Sequence, residues 1–304
     1  VIPVPDTTLF AKIETINPTS YDTDTIRVLG EDNQGYTLRI DKDSDIQVGA
    51  VYAFVVEPIV FKEKDQFLVK DHTHIDDVEL SRKRRQELMN LFYEYAPVDA
   101  EEVQNTIESY LDRIVNPTIR LLVMDLYDTY KEAFYLYPAA TKFHHAYIGG
   151  LSYHTATMMR LIDGFLQVYP FLNQDLLIGG ILLHDILKTE ELSDYAGPEY
   201  TKEGKLIGHI TMAVKELEIV AERHGVRKSE EVLLLQHMIL SHHYYGNYGS
   251  PKKTNIPEAL ILHFIDNIDS KMTVLQETLD QIEAGEFTPP IGVLDREKYY
   301  KSKL

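Results

Sequence analysis

Two hydrophilic side chains, His184 and Asp185, stand inside the apolar run "LLHDILK" at residues 182–188. Ile181, Leu182, Leu183, Ile186 and Leu187 around them read as a buried helical segment, where an unpaired carboxylate costs several kcal/mol. A partner is therefore expected elsewhere in the chain. Five more candidates lie in or beside apolar stripes: His154 in "GGLSYHTATMM", His209 in "GKLIGHITMAV", His242 and His243 in "ILSHHYY", and Asp266 in "LILHFIDNIDSKM". Any one of them alone reads as an ordinary hydrogen-bonded core residue. Seven such groups on five separate helical segments point to a common interior, because each would otherwise need its own buried hydrogen bonds. A divalent ion satisfies them together, since neutral imidazole and carboxylate suit Mn, Fe, Co, Ni or Zn. The chain has no cysteine, which excludes disulfides, thiolate zinc sites and cysteine nucleophiles and leaves imidazole and carboxylate as the metal donors.

The elements that must position these residues follow from hydrophobic period and capping residues. Helices are expected at about 144–168, 175–188, 203–224, 229–243 and 257–284, the last opened by Pro257 at its first position. Asn116 and Pro117 make an N-cap and first helical residue, and Asp99 with Glu102 makes a capping box. Residues 1–80 instead read as short, partly alternating strands: "LFAKIETI", "DTIRVLG", "GYTLRID", "AVYAFVVEPIVF" and "DQFLVK". Five or six strands in so short a stretch suggest a small barrel of OB-fold type. The expected architecture is multidomain α+β: a barrel at 1–80, a helical connector at 81–135 and an all-α domain at 136–304.

At 304 residues, 44% hydrophobic and 26% charged, the chain is that of a folded protein of more than one core. It contains no apolar run long enough to span a membrane and opens on no signal-peptide pattern, so a cytoplasmic protein that binds no membrane is expected. The formal net charge of −18 argues against holding a polyanion by surface attraction alone and is ordinary for a soluble chain. Residues 1–80 carry seven basic against sixteen acidic side chains, a net of −9, which makes the barrel by itself a poor nucleic-acid groove. The cluster Arg82, Lys83, Arg84 and Arg85 could touch phosphates or form a solvated helix face.

The order His, His-Asp, His, His-His, Asp resembles the signature of the HD-domain metal-dependent phosphohydrolases. "HHAYIGGLSYHT", "YTKEGKLIGHI", "ILSHHYYGNYGSP" and the ending "FTPPIGVLDREKYY" are similar to one branch, the YhaM-type 3′-to-5′ exoribonucleases, in which an OB-fold precedes the HD domain. The resemblance implies that His154, His184, Asp185 and Asp266 hold one metal ion. It further implies that Asp185 bridges to a second, held also by His209, His242 and His243, with manganese the first expectation and magnesium another possibility. Lys188 matches a lysine that reaches substrate phosphate in many HD enzymes, although Leu187 replaces the usual glycine of "HDIGK".

The implied activity is hydrolysis of single-stranded RNA, and of DNA as a further substrate, from the 3′ end, with Asp185 and Lys188 catalytic. Lys188 and His145 are the candidate substrate contacts, His144 and His145 lying either at the pocket entrance or at an ordinary helix start. A nucleotide or cyclic-dinucleotide phosphohydrolase, and a non-catalytic binding protein on the same scaffold, are the alternatives. His237, His263 and Asp269 are expected in the core or behind the ligands, and His72, His74 and His224 at the surface. The tyrosine-rich stretches "YYGNY" and "KYYK" are candidate contacts of a homo-oligomer.

Overall fold

The computed structural model describes residues 8–141, 145–195, 198–246 and 249–304; the expectations for His144 and for Tyr248 of "YYGNY" fall outside these. The chain divides into two compact units, Val1–Tyr95 and Ala96–Leu304.

The first unit is built from five strands, β1 (Thr8–Asn17), β2 (Thr23–Gly30), β3 (Gly35–Asp41), β4 (Val51–Phe61) and β5 (Lys64–His74). Their order, β1-β2-β3-β5-β4 with β4 returning to β1, closes the sheet on itself, and the β3–β5 pair is its parallel seam. The alternation read from sequence has its cause here, because Ala11 and Ile13, Ile26 and Val28, and Leu38 and Ile40 all point into one core. Lys62 and Glu63, both at positive φ (49° and 63°), make the two-residue turn between β4 and β5, the backbone that matches the twist of a hairpin. Helix α1 (Arg82–Phe92) completes the unit. Of its basic cluster, Arg84 pairs with Glu31, and Arg85 donates to the carbonyls of Ile75 (2.6 Å) and Val78 (2.9 Å). These two guanidinium groups serve the fold of this unit.

The second unit is helical: α2 (Ala100–Leu111), α3 (Pro117–Phe134), α4 (Gly150–Val168), α5 (Gln174–Leu183), α6 (Lys188–Glu191), α7 (Lys202–Leu206), α8 (Gly208–Arg223), α9 (Glu230–Ser241) and α10 (Pro257–Asp280). Asn116 caps α3 by accepting from the N–H groups of Thr118 and Ile119, with Pro117 next in line as expected. Asp99 caps α2 by accepting from Glu101 N, whereas Glu102 reaches Arg160 at 3.2 Å rather than back to the cap. Half of the capping box therefore forms, because an ion pair on α4 takes the other half.

The segment expected as a connector, 81–135, divides between the units. Val103, Ile107, Leu122 and Leu126 of α2 and α3 enter the same core as the later helices, since their apolar faces need the bundle as cover.

Helix α5 is buried along its whole length from Asp175 to Leu183 and packs on α3, α4, α9 and α10. Gly180 permits this: a Cβ there would meet the Met238 side chain at 2.2 Å. The helix ends at Leu183, so the expected continuation to residue 188 is broken at His184 and Asp185. Among the described residues no helix is long and apolar enough to cross a membrane.

Candidate metal centre

Each candidate side chain reaches the interior through a specific local device. His184 follows the last residue of α5, and its Nδ1 donates to the Ile181 carbonyl at 2.7 Å. His242 repeats the arrangement after α9, with Nδ1 donating to the Ile239 carbonyl at 2.7 Å. In both cases the imidazole satisfies a carbonyl that the ending helix leaves unpaired. A carbonyl only accepts, so Nδ1 must carry the proton and Nε2 of the neutral ring is left with its lone pair.

His209 stands in the first turn of α8, just after Gly208, whose φ of 76° lets the chain enter the helix. Its Nδ1 lies 2.9 Å from Glu191 Oε2, and its backbone N–H donates to Glu191 Oε1 at 3.0 Å. Burial opposes the charge on Glu191, but the His209 hydrogen bonds outweigh it and hold the carboxyl below its ordinary value. An ionised Glu191 accepts from Nδ1 and again leaves Nε2 as a free base. His154 follows the same logic on α4, its Nδ1 lying 2.6 Å from Asp269 Oδ2 on α10.

Three of the freed nitrogens, those of His184, His209 and His242, converge on Asp185. Asp185 Oδ1 lies 3.1 Å from His209 Nε2 and 3.8 Å from His242 Nε2, and Oδ2 lies 3.2 Å from His184 Nε2 and 2.7 Å from Lys188 Nζ. Asp266 Oδ1 stands 3.5 Å from His154 Nε2. The ligand atoms of Asp185, His209, His242 and His243 lie within 4.8 Å of one another, and so do those of His154, His184 and Asp185. Asp185 is common to both groups.

Four atoms at this centre, His184 Nε2, Asp185 Oδ1, His209 Nε2 and His242 Nε2, are buried without a hydrogen-bond partner among the described residues. The 3.1 Å approach of His209 to Asp185 is close without being aligned as a hydrogen bond. Native interiors seldom leave even one polar atom so placed, and four clustered about Asp185 are what bound cations would satisfy. The electrostatics specify its charge. Burial opposes ionisation of Asp185, but His184, Lys188 and His209 hold its carboxyl well below the usual range. Burial, with His243 and His184 adding to it, pushes His242 well down, so its ring is neutral. Burial also works against charge on His154, yet Asp269, Asp266 and Asp185 raise it above its ordinary value. The centre thus offers lone pairs in a field that favours a cation, and a divalent metal fits the donor set.

A third group within the same span, His145, His154 and Asp269, has another explanation. His145 Nε2 and His154 Nδ1 lie 2.7 and 2.6 Å from one oxygen, Asp269 Oδ2, which are hydrogen-bond distances. His145 is fully buried, with Nδ1 2.7 Å from the Tyr147 hydroxyl. In this structure its ring lies against Asp269, which it helps to position. His263 donates from Nδ1 to the His242 carbonyl at 2.8 Å, His237 Nε2 accepts from Asn255 N, and His224 meets Asp125 at 2.6 Å. Glu191 is a functional neighbour that residue type and spacing do not single out. Its one signal was a carboxylate one helical turn after Lys188, which is unremarkable without the His209 contact.

The span that carries all seven candidate ligands is matched by the HD-domain family profile, at residues 151–271. Three relatives named 3′-5′ exoribonuclease YhaM extend the match. That of Geobacillus sp. (strain WCH70) is 43% identical over 210 residues, covering 69% of this chain and 64% of the relative. That of Bacillus pumilus (strain SAFR-032) is 43% identical over 210 residues, covering 69% and 67%. That of Bacillus subtilis (strain 168) is 42% identical over 218 residues, covering 71% and 69%. The chain belongs to this YhaM family of HD-domain proteins. No solved structure gives a significant match.

Proposed function

We propose that this chain is a metal-dependent phosphodiesterase that shortens single-stranded RNA from its 3′ end. The observation that carries the reading is the set of four buried atoms, at and around Asp185, without a hydrogen-bond partner among the described residues, set in an HD domain whose relatives are named as 3′-5′ exoribonucleases.

In this proposal His154, His184, Asp185 and Asp266 hold one ion, and Asp185 with His209, His242 and His243 holds a second, manganese being the preferred metal. When bound, such ions lower the pKa of a water toward neutrality and stabilise charge on phosphoryl oxygens. The chain's own residues do the rest. Ile181 and Ile239 carbonyls, Glu191 and Asp269 fix the ring tautomers, and Asp185 holds the Lys188 ammonium at 2.7 Å. Burial works against that ammonium, but Asp185 raises its pKa above the ordinary value. Lys188 thus brings a fixed positive charge to the centre, suited to the negative charge that builds on a phosphoryl group. Local cations also answer the acidity of the chain, since the attraction needed for a polyanion arises at the centre rather than over the surface.

The test is digestion of a 5′-labelled RNA with a single-stranded 3′ tail, in Mn²⁺, by wild type and by D185N. Stepwise loss of 3′ nucleotides by wild type, with D185N inactive, is expected; a mononucleotide turned over faster than any oligomer would replace this reading. The same assay on single-stranded DNA decides whether the substrate extends beyond RNA, and sedimentation of the intact chain decides whether it is a homo-oligomer.

A further inference from the structure

One face of α10 lines a cleft of about 540 Å³, walled on its other sides by Tyr245, which follows α9, and by Leu294 and Tyr299 of the C-terminal segment. From α10 it receives Phe264, Asn267, Ile268 and Lys271 among others. The size suits a nucleotide-sized ligand. The lining is aromatic and apolar with two convergent polar groups. Asn267 and Lys271 have no side-chain hydrogen-bond or ion-pair partner among the described residues, and Lys271 is the one lysine or arginine of α10. Phe264 is about half exposed, at 49%, so one ring of the lining is open to a flat solute, while Tyr245 packs against Tyr244 and His263.

The cleft adjoins the candidate metal centre through two links. His263 forms part of its wall, and the same ring donates from Nδ1 to the carbonyl of His242 at 2.8 Å. Asn267 follows Asp266 directly on α10, about 1.5 Å further along the axis. One helix therefore presents a candidate ligand toward the metals and an amide toward the cleft.

Resting on the phosphodiesterase reading above, we propose that this cleft is a nucleobase subsite: it takes a base of the substrate strand against Phe264, with Asn267 at the base edge and Lys271 near the backbone phosphate. The chemistry favours a base over an aliphatic or peptide occupant. Stacking on exposed aromatic rings tolerates any base, an amide provides both a donor and an acceptor to a base edge, and an isolated ammonium on an otherwise acidic helix matches a phosphodiester.

Two measurements test it. The chain has no tryptophan, so F264W places a single indole reporter in the cleft. Its emission should be quenched by a phosphorothioate-linked oligoadenylate and not by an abasic phosphorothioate strand of the same length. On a cleavable oligonucleotide, F264A should raise KM by about tenfold, the scale of one lost base stack, with kcat unchanged. F171A, which removes another exposed ring (71%) on the same unit, should leave KM as in wild type. Equal response of F264W to both strands, with normal shortening of RNA, would overturn the subsite and leave the phosphodiesterase reading intact. Failure of wild type to cleave any oligonucleotide would overturn that reading, and the quenching comparison would still decide whether the cleft binds a base. A change in sedimenting mass for F264A, with KM unchanged, would make this face a contact between copies of the chain and sink the proposal.

Discussion

His154 Nδ1 lies 2.6 Å from Asp269 Oδ2, and the same oxygen lies 2.7 Å from His145 Nε2. One buried carboxylate therefore orients two rings, and through His154 it turns a lone pair toward Asp266. Burial opposes the charge on Asp269, but the two histidine hydrogen bonds hold its carboxyl far below the ordinary range. Replacing it by asparagine keeps the shape and removes the charge. D269N should weaken metal binding by about 10- to 100-fold, the usual cost of losing such a partner, as read by competition with a chelating dye. Unchanged affinity, with far-UV circular dichroism like wild type, would show that His154 needs no orienting.

Glu191 performs the same service for His209 alone. E191Q should therefore lower the metal content per chain by loss at the His209 side, while the His154 side stays filled. Elemental analysis after dialysis measures this. A proportional loss from both sides would mean that the centre behaves as one unit.

Removal of metal should destabilise the whole helical unit. An ion that binds only the folded chain adds stability in proportion to the logarithm of its free concentration over Kd, and here it would also satisfy four buried atoms that have no hydrogen-bond partner among the described residues. Thermal unfolding with excess EDTA should show a lower Tm, and added Mn²⁺ should restore it in a concentration-dependent way. A Tm indifferent to both treatments would be incompatible with a metal in the interior.

A separate pH response is expected away from the centre. Glu108 accepts from Lys131 Nζ (2.7 Å), Gln104 Nε2 (2.8 Å) and the Tyr127 hydroxyl (3.2 Å). The Lys131 hydrogen bond, followed by that of Gln104, draws its carboxyl below the ordinary 4.5. A folded-state value below the unfolded one means that the contribution is present above about pH 4.5 and fades as the pH falls below it. E108Q should lower Tm at pH 7, and the gap between mutant and wild type should shrink on acidification through that window. A gap independent of pH would assign the effect to shape and not to charge.

The strands of the first unit were legible because a period of two puts Ile26 and Val28, or Leu38 and Ile40, on one face whatever their partners. Asn116 and Pro117 marked the start of α3 because capping is local chemistry. The break of α5 at His184 was hidden, since Ile186 and Leu187 continue the apolar run and are buried just as helical residues would be. The burial of His145 was hidden for a different reason: its partner Asp269 lies 124 positions away.

By itself the sequence determined which kinds of side chain are available, seven imidazole and carboxyl groups with no thiol, and the helical and strand periods that carry them, because both are properties of residue type and near spacing. Only the tertiary structure decided which nitrogen of each ring is free. That choice is made by the group opposite, whether a carbonyl three residues back or a carboxylate on another helix, and the path that brings them together is fixed by the packing of the whole bundle.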